Sequence, residues 1–190
     1  LNYSSYFENE IKLIMKQLSR NRVLDYRPVI NVPEEKREFY LECRDNAYDY
    51  LQLNDFSEAE RNIEYAKNIF DKDPELLRIE GDYLIFSYKL DKALVNFNLL
   101  LSIEPENIEC LFARADILKR QGLVEESIKD YLKIQELSPS STKLYPLLAE
   151  CYMKANDLNK AREYYLKGIE LNPTDKILKN TLIHVNLDLA

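Results

Sequence analysis

A period of 34 residues constrains this chain more than any other feature. Set from Tyr40, the frames 40–73, 74–107, 108–141 and 142–175 restore the same residue classes at the same places. The eighth position is small (Ala47, Gly81, Ala115, Ala149), and so is the twentieth (Ala59, Ala93, Ser127, Ala161). The eleventh is large (Tyr50, Leu84, Leu118, Tyr152), and so is the twenty-fourth (Ile63, Phe97, Tyr131, Tyr165). Small residues at fixed places let two helices approach closely, which sets their packing distance. In the best copy, Thr142–Asp175, one helical stripe runs Tyr145, Leu148, Ala149, Tyr152 and a second runs Ala161, Tyr165, Gly168, Leu171. A turn at Asn156-Asp157-Leu158 joins them into an αα-hairpin. One hairpin cannot bury its apolar face alone, so the frames are expected to stack on one another.

Over about residues 40–175 the pattern resembles the tetratricopeptide repeat family, most closely at Leu158–Pro173 and Gly81–Pro105. The resemblance implies an all-α fold, a right-handed α-solenoid or superhelix of helix-turn-helix repeats whose first helices line a concave groove. It also implies non-catalytic protein recognition; the alternative is a regulatory or scaffold segment of a larger enzyme or regulator, its groove occupied by its own stretch over 21–32 with Tyr26, Val29 and Ile30. The seventh position departs from the family, which carries an aliphatic residue where this chain has Asn46, Glu80 and Arg114. These are expected to be half-exposed or locally paired. Ser57, Asp91, Glu125 and Asn159 stand at the expected starts of the second helices, and three of the four are favoured caps.

Residues 1–39 are expected to hold an amphipathic helix over 3–19 and a proline-broken extended stretch over 21–32. A helix then starts after Pro33 and runs through Leu53. Residues 176–190 read as a C-terminal capping helix, because bulky Ile183 at its eighth position leaves no close seat for another helix. Ile183 and Leu187 lie off its inner stripe, and such residues can recruit a second copy, giving a homodimer through this helix.

A net charge of −7 argues against general nucleic-acid binding and against adhesion to anionic membrane. There is no apolar run long enough to span a membrane and no signal-peptide pattern. Three widely spaced cysteines do not make a disulfide framework and point to a reducing, cytoplasmic setting. Leu1 in place of methionine is expected of a piece of a longer chain. His184 is the only histidine, and no motif surrounds it. Cys43, Cys110 and Cys151 are expected to be small core residues. With no metal-ligand spacing and no glycine-rich phosphate loop, neither enzyme activity nor a cofactor is expected.

If the first helices line a groove, positions two, five, six, nine, twelve and thirteen face it. The candidate peptide-binding residues are then Arg44 and Tyr48 in the first frame, and Arg78, Ile79, Asp82 and Phe86 in the second. The third frame gives Phe112, Asp116, Lys119 and Arg120, and the fourth Lys143 and Lys154. Aromatic residues beside arginine are common anchors for a bound chain. Phe86 and Phe112 are either such anchors or packing between neighbouring first helices. Arg78 and Asp82, four apart, are placed to pair on their own helix. Family members that read chaperone tails clamp a terminal carboxylate with Lys and Asn at positions five and nine, Asn at six of the next repeat, and Lys and Arg at two and six of the third. Here those positions hold Arg44, Tyr48, Ile79, Glu109 and Ala113, or one repeat later Arg78, Asp82, Ala113, Lys143 and Leu147. Neither register makes the clamp, and the expected partner is a protein or peptide of another kind.

Overall fold

The computed structural model describes residues 31–188, and every regular element among them is helical. The expected helix over 3–19 and nearly all of the stretch over 21–32 lie outside the described residues. Two compact units divide the chain after Glu104. Unit 1 contains α1 (Glu34–Gln52), α2 (Phe56–Lys67), α3 (Pro74–Phe86) and α4 (Leu90–Ile103). Unit 2 contains α5 (Ile108–Arg120), α6 (Val124–Leu137), α7 (Leu144–Lys154), α8 (Leu158–Leu171) and α9 (Lys176–Asp188).

In both units each helix packs on its neighbour in sequence, so hairpins α1–α2, α3–α4, α5–α6 and α7–α8 form around close helix pairs. Ala47, Gly81, Ala115 and Ala149 are all buried at the crossings, as are Ala59, Ala93, Ser127 and Ala161 opposite them. Ser127 is the polar member of that set, and its hydroxyl donates to the carbonyl of Ala115 at 2.8 Å. Large side chains close the layers: Tyr131 and Phe97 are fully buried, and Cys43, Cys110 and Cys151 are buried free thiols. α9 packs against α8 through Leu178 and Val185, with Leu178 Cδ1 beside Gly168.

The turns correct the expected caps. Second helices begin at Phe56, Leu90, Val124 and Leu158, so Ser57, Asp91, Glu125 and Asn159 are already helical. Asp55 and Asp157 do the capping, accepting from the amides of Glu58 and Lys160, while Lys89 and Leu123 offer no side-chain cap. Each hairpin turns through one left-handed residue at the fifteenth position: Asn54, Tyr88, Gly122 and Asn156, with φ of 57°, 57°, 81° and 59°. Asn and Gly accept that conformation readily, whereas for a bulky residue it costs about 1–2 kcal/mol. Tyr88 is 87% exposed, so little packing offsets the strain. Tyr88→Asn is expected to stabilise unit 1 by about 1 kcal/mol, seen as a higher urea midpoint.

Burial pushes the phenols of Tyr40, Tyr131, Tyr164 and Tyr165 up, that of Tyr165 to about 12. A raised folded-state value favours the neutral phenol. The stability it carries is complete below the unfolded value of about 10 and disappears as pH climbs through the folded one. Helicity is therefore expected to collapse between about pH 10 and 12, with tyrosinate absorbance appearing in the same transition. Complete tyrosine ionisation near pH 10 with helicity intact would contradict this.

Candidate functional site

The first helices of unit 1, α1 and α3, bring Tyr48, Arg78, Asp82 and Phe86 to partly or fully exposed positions. Arg78 is held on its own helix by three contacts. Nε and Nη2 donate to the Glu75 carboxylate at 3.1 and 2.8 Å, and Nη1 donates to Asp82 Oδ2 at 3.2 Å. Spacings of three and four residues put both acids on the face of Arg78. From α1 the Tyr48 ring lies beneath the guanidinium, 5.7 Å from its carbon to the ring centroid. This cation–π contact joins the two helices and leaves the guanidinium planar and oriented. Phe86 is 57% exposed, and its ring rests on Phe56 with centroids 6.1 Å apart.

Arg44 and Ile79 are corrections to the expected set, because both are buried. Asp73 is buried as well, and Arg44 Nη1 donates to its Oδ2 at 3.1 Å. Tyr40 donates its hydroxyl to the same oxygen at 2.8 Å, and Asp45 accepts from Arg44 Nε and Nη2 at 3.3 Å. Burial alone would lower the guanidinium's pKa, yet the charges of Asp73 and Asp45 outweigh it and hold Arg44 above its ordinary value. Asp73 also caps α3 through the amide of Glu75. A side chain already holding this network cannot also meet a ligand. Ile79 is simply part of the apolar core of α3.

In unit 2 the corresponding helices are α5 and α7. Phe112 is half-buried and lies 6.0 Å from the Tyr131 ring, so it packs within its own hairpin. Lys119 Nζ donates to Glu150 Oε2 on α7 at 3.0 Å and lies 3.7 Å from Asp116. Asp116 in turn takes Arg120 at 2.6 Å. Lys143 and Lys154 are exposed at the two ends of α7. The face is thus a chain of paired charges flanked by two lysines.

Two of the seventh-position residues, Glu80 and Arg114, are paired across their own hairpins. Glu80 on α3 accepts from Asn96 on α4 at 2.8 Å and pairs with Lys67, while Arg114 on α5 makes a two-point contact with Asp130 on α6 at 2.7 and 2.6 Å. Both pairs are sixteen residues apart. In the fourth frame the equivalent places hold Leu148 and Tyr164, both buried. Two clefts of unit 1 lie between α2 and α4, and none of the expected binding residues lines them. No helix among the described residues is long and apolar enough to cross a membrane, and His184 stands exposed on α9.

Comparison with known proteins places the chain by sequence and by fold. Tetratricopeptide repeat models match residues 108–141 and 147–175. The Hsp70-Hsp90 organizing protein of Triticum aestivum is 24% identical over 127 residues, covering 67% of this chain and 22% of that protein. Among such curated relatives the chain spans from 9% to 31% of their length. MamA (residue 41 to the end) from Desulfovibrio magneticus RS-1 superposes with a TM-score of 0.73 at 19% identity, over 78% of this chain and 84% of that one. The first repeat domain of Spaghetti (RPAP3), solved with the HSP90 peptide SRMEEVD, gives 0.57 at 22% identity, over 61% and 92%. Tetratricopeptide repeat models thus fall on the α5–α6 and α7–α8 hairpins, and the chain shares the fold of these repeat structures.

Proposed function

We propose that this chain is a non-catalytic recognition module of the cytoplasm, and that the face of α1 and α3 in unit 1 binds an extended peptide or a helix of a partner protein. The observation that carries the reading is Arg78, fixed by Glu75 and Asp82 over the Tyr48 ring, with exposed Phe86 on the same helix. An arginine fixed before binding loses little entropy on contact, so a flexible partner bears most of the ordering cost. An exposed phenylalanine beside it supplies apolar area at the centre of the contact. In unit 2, Lys119, Arg120, Lys143 and Lys154 offer a second face for a partner protein. The cytoplasmic setting is supported by three buried cysteines that remain free thiols.

The test is affinity capture with the intact chain against Arg78→Ala/Phe86→Ala. Both side chains are solvent-accessible, so the variant is expected to keep its helicity while losing its captured partners at least tenfold. Unchanged capture by a folded variant would refute the reading. A peptide carrying an acidic chaperone tail with a free carboxylate is expected not to bind with submicromolar affinity in calorimetry. Arg44, the one basic residue in the first clamp register besides none at its other four places, is committed to Asp73. A submicromolar dissociation constant would show this wrong.

A second reading, self-association, is favoured by Ile177, Ile183 and Leu187, all exposed on α9. Sedimentation that shows a monomer at every concentration would remove it.

A further inference from the structure

In unit 1 the second helices α2 and α4 flank a depression. Two clefts of about 420 and 470 Å³ make it up, and they share Lys67, Glu80, Leu84 and Lys92, so the hollow is continuous. Its floor is apolar, formed by the buried side chains of Leu77 and Leu84. On the α4 wall stand Val95, 71% exposed, and Leu99, 38% exposed. Four residues apart on a helix, they form one short stripe leaning over that floor. A single exposed aliphatic residue needs no explanation, but two aligned along a hollow with an apolar floor mark a place for another apolar surface.

The charges select what that surface must carry. Lys67 is bound to Glu80, Glu80 to Asn96, and Lys89 to Glu60 and the Tyr83 hydroxyl, which leaves Lys92 as the cation of the shared lining outside these pairs, facing the charge of Glu60. Glu64 and Asp71 line the α2 side without an ion-pair partner among the described residues. A bound segment must therefore turn apolar residues to Val95 and Leu99 and basic residues to Glu64 and Asp71. The hollow is walled by helices whose backbone groups are already bonded, so an extended strand would find no backbone partners here. A helix satisfies its own backbone and needs only side-chain contacts.

We propose that the hollow between α2 and α4 docks one amphipathic helix of a partner protein, with apolar residues four apart and lysine or arginine along one flank. This site is independent of the α1–α3 face. The probe is a fluorescent, hydrocarbon-stapled peptide with leucines four apart and lysines on one flank, compared with a twin carrying glutamates there. In anisotropy with the whole chain, the lysine peptide is expected to bind about tenfold tighter than its twin. Val95→Ser/Leu99→Ser, at exposed positions, is expected to weaken it about tenfold. Glu64→Lys/Asp71→Lys is expected to reverse the preference, whereas Arg78→Ala/Phe86→Ala leaves it unchanged. Equal binding of the twins, or binding that survives Val95→Ser/Leu99→Ser, overturns the proposal. So does a Val95-dependent dimer in sedimentation, which would make the occupant a second copy. Displacement of the probe by a peptide of residues 3–19 would make it the chain's own segment and would equally overturn a foreign partner.

Discussion

Asp73→Ala is expected to cost unit 1 about 3–5 kcal/mol, the range for stranding one member of a buried ion pair. In thermal unfolding of a unit of this size that corresponds to a fall of roughly 10–20 °C or more. Neither Arg44 nor Asp73 has solvent access to its side chain, so water cannot replace the lost carboxylate. Three groups lose their acceptor together: the Arg44 guanidinium, the Tyr40 hydroxyl and the Glu75 amide at the start of α3. Asp45 remains as a partner for Arg44, but its contacts are longer and it is partly in water. Asp73→Asn removes the charge but keeps one acceptor oxygen, enough for either the Tyr40 hydroxyl or the Glu75 amide and not for both. It is expected to fall between wild type and Asp73→Ala. Adding Arg44→Met to Asp73→Ala removes the stranded charge and is expected to recover more than half of the loss, because a well-packed apolar replacement of a buried pair is often close to neutral. A loss below about 1 kcal/mol for Asp73→Ala would show that the pair contributes no more than a surface one.

The same network shows where reading the chain as letters stops. Ala47, Gly81, Ala115 and Ala149 were legible as helix crossings, because close packing demands small residues at a fixed period and nothing else in the chain imitates that. Arg44 was not, since a charged residue on a helix is ordinarily exposed and its burial depends on an acid 29 residues away. The left-handed turns at Asn54, Gly122 and Asn156 follow from residue type, but Tyr88 does not, and only alignment with the other three frames singles it out. The pairs Glu80–Asn96 and Arg114–Asp130 carried a usable signal, a polar residue at the seventh position matched by another sixteen residues later. On the candidate faces, Phe86 at the thirteenth position of its frame and Phe112 at the fifth of the next differ in fate: one rests on Phe56 and stays exposed, the other packs on Tyr131. No periodicity separates those outcomes. The hollow beside Val95 and Leu99 was invisible for a related reason, as aliphatic residues at helical spacing normally denote a packed face.

Gly81 and Phe97 form a close crossing between α3 and α4, and exchanging their sizes tests it. A Cβ built on Gly81 would stand 2.5 Å from Phe97 Cε1 and 2.6 Å from Cζ, inside the ring's contact surface. Gly81→Ala gains about 1 kcal/mol of helix propensity but must displace a fully buried ring, a strain of about 1–3 kcal/mol. The net effect is expected to be destabilising. Phe97→Ala leaves a cavity in the same place and is expected to cost about 3–5 kcal/mol. The first hairpin meets the same geometry with another pair, Ala47 and Ile63, both buried. Gly81→Ala/Phe97→Ile imports that pair, and the double variant is expected to be more stable than the sum of its single changes by about 1–2 kcal/mol. Chemical denaturation of the four proteins of the cycle measures this coupling. Additive effects would mean that the ring moves aside freely, and that the small residue at the eighth position is not what fixes the spacing of α3 and α4.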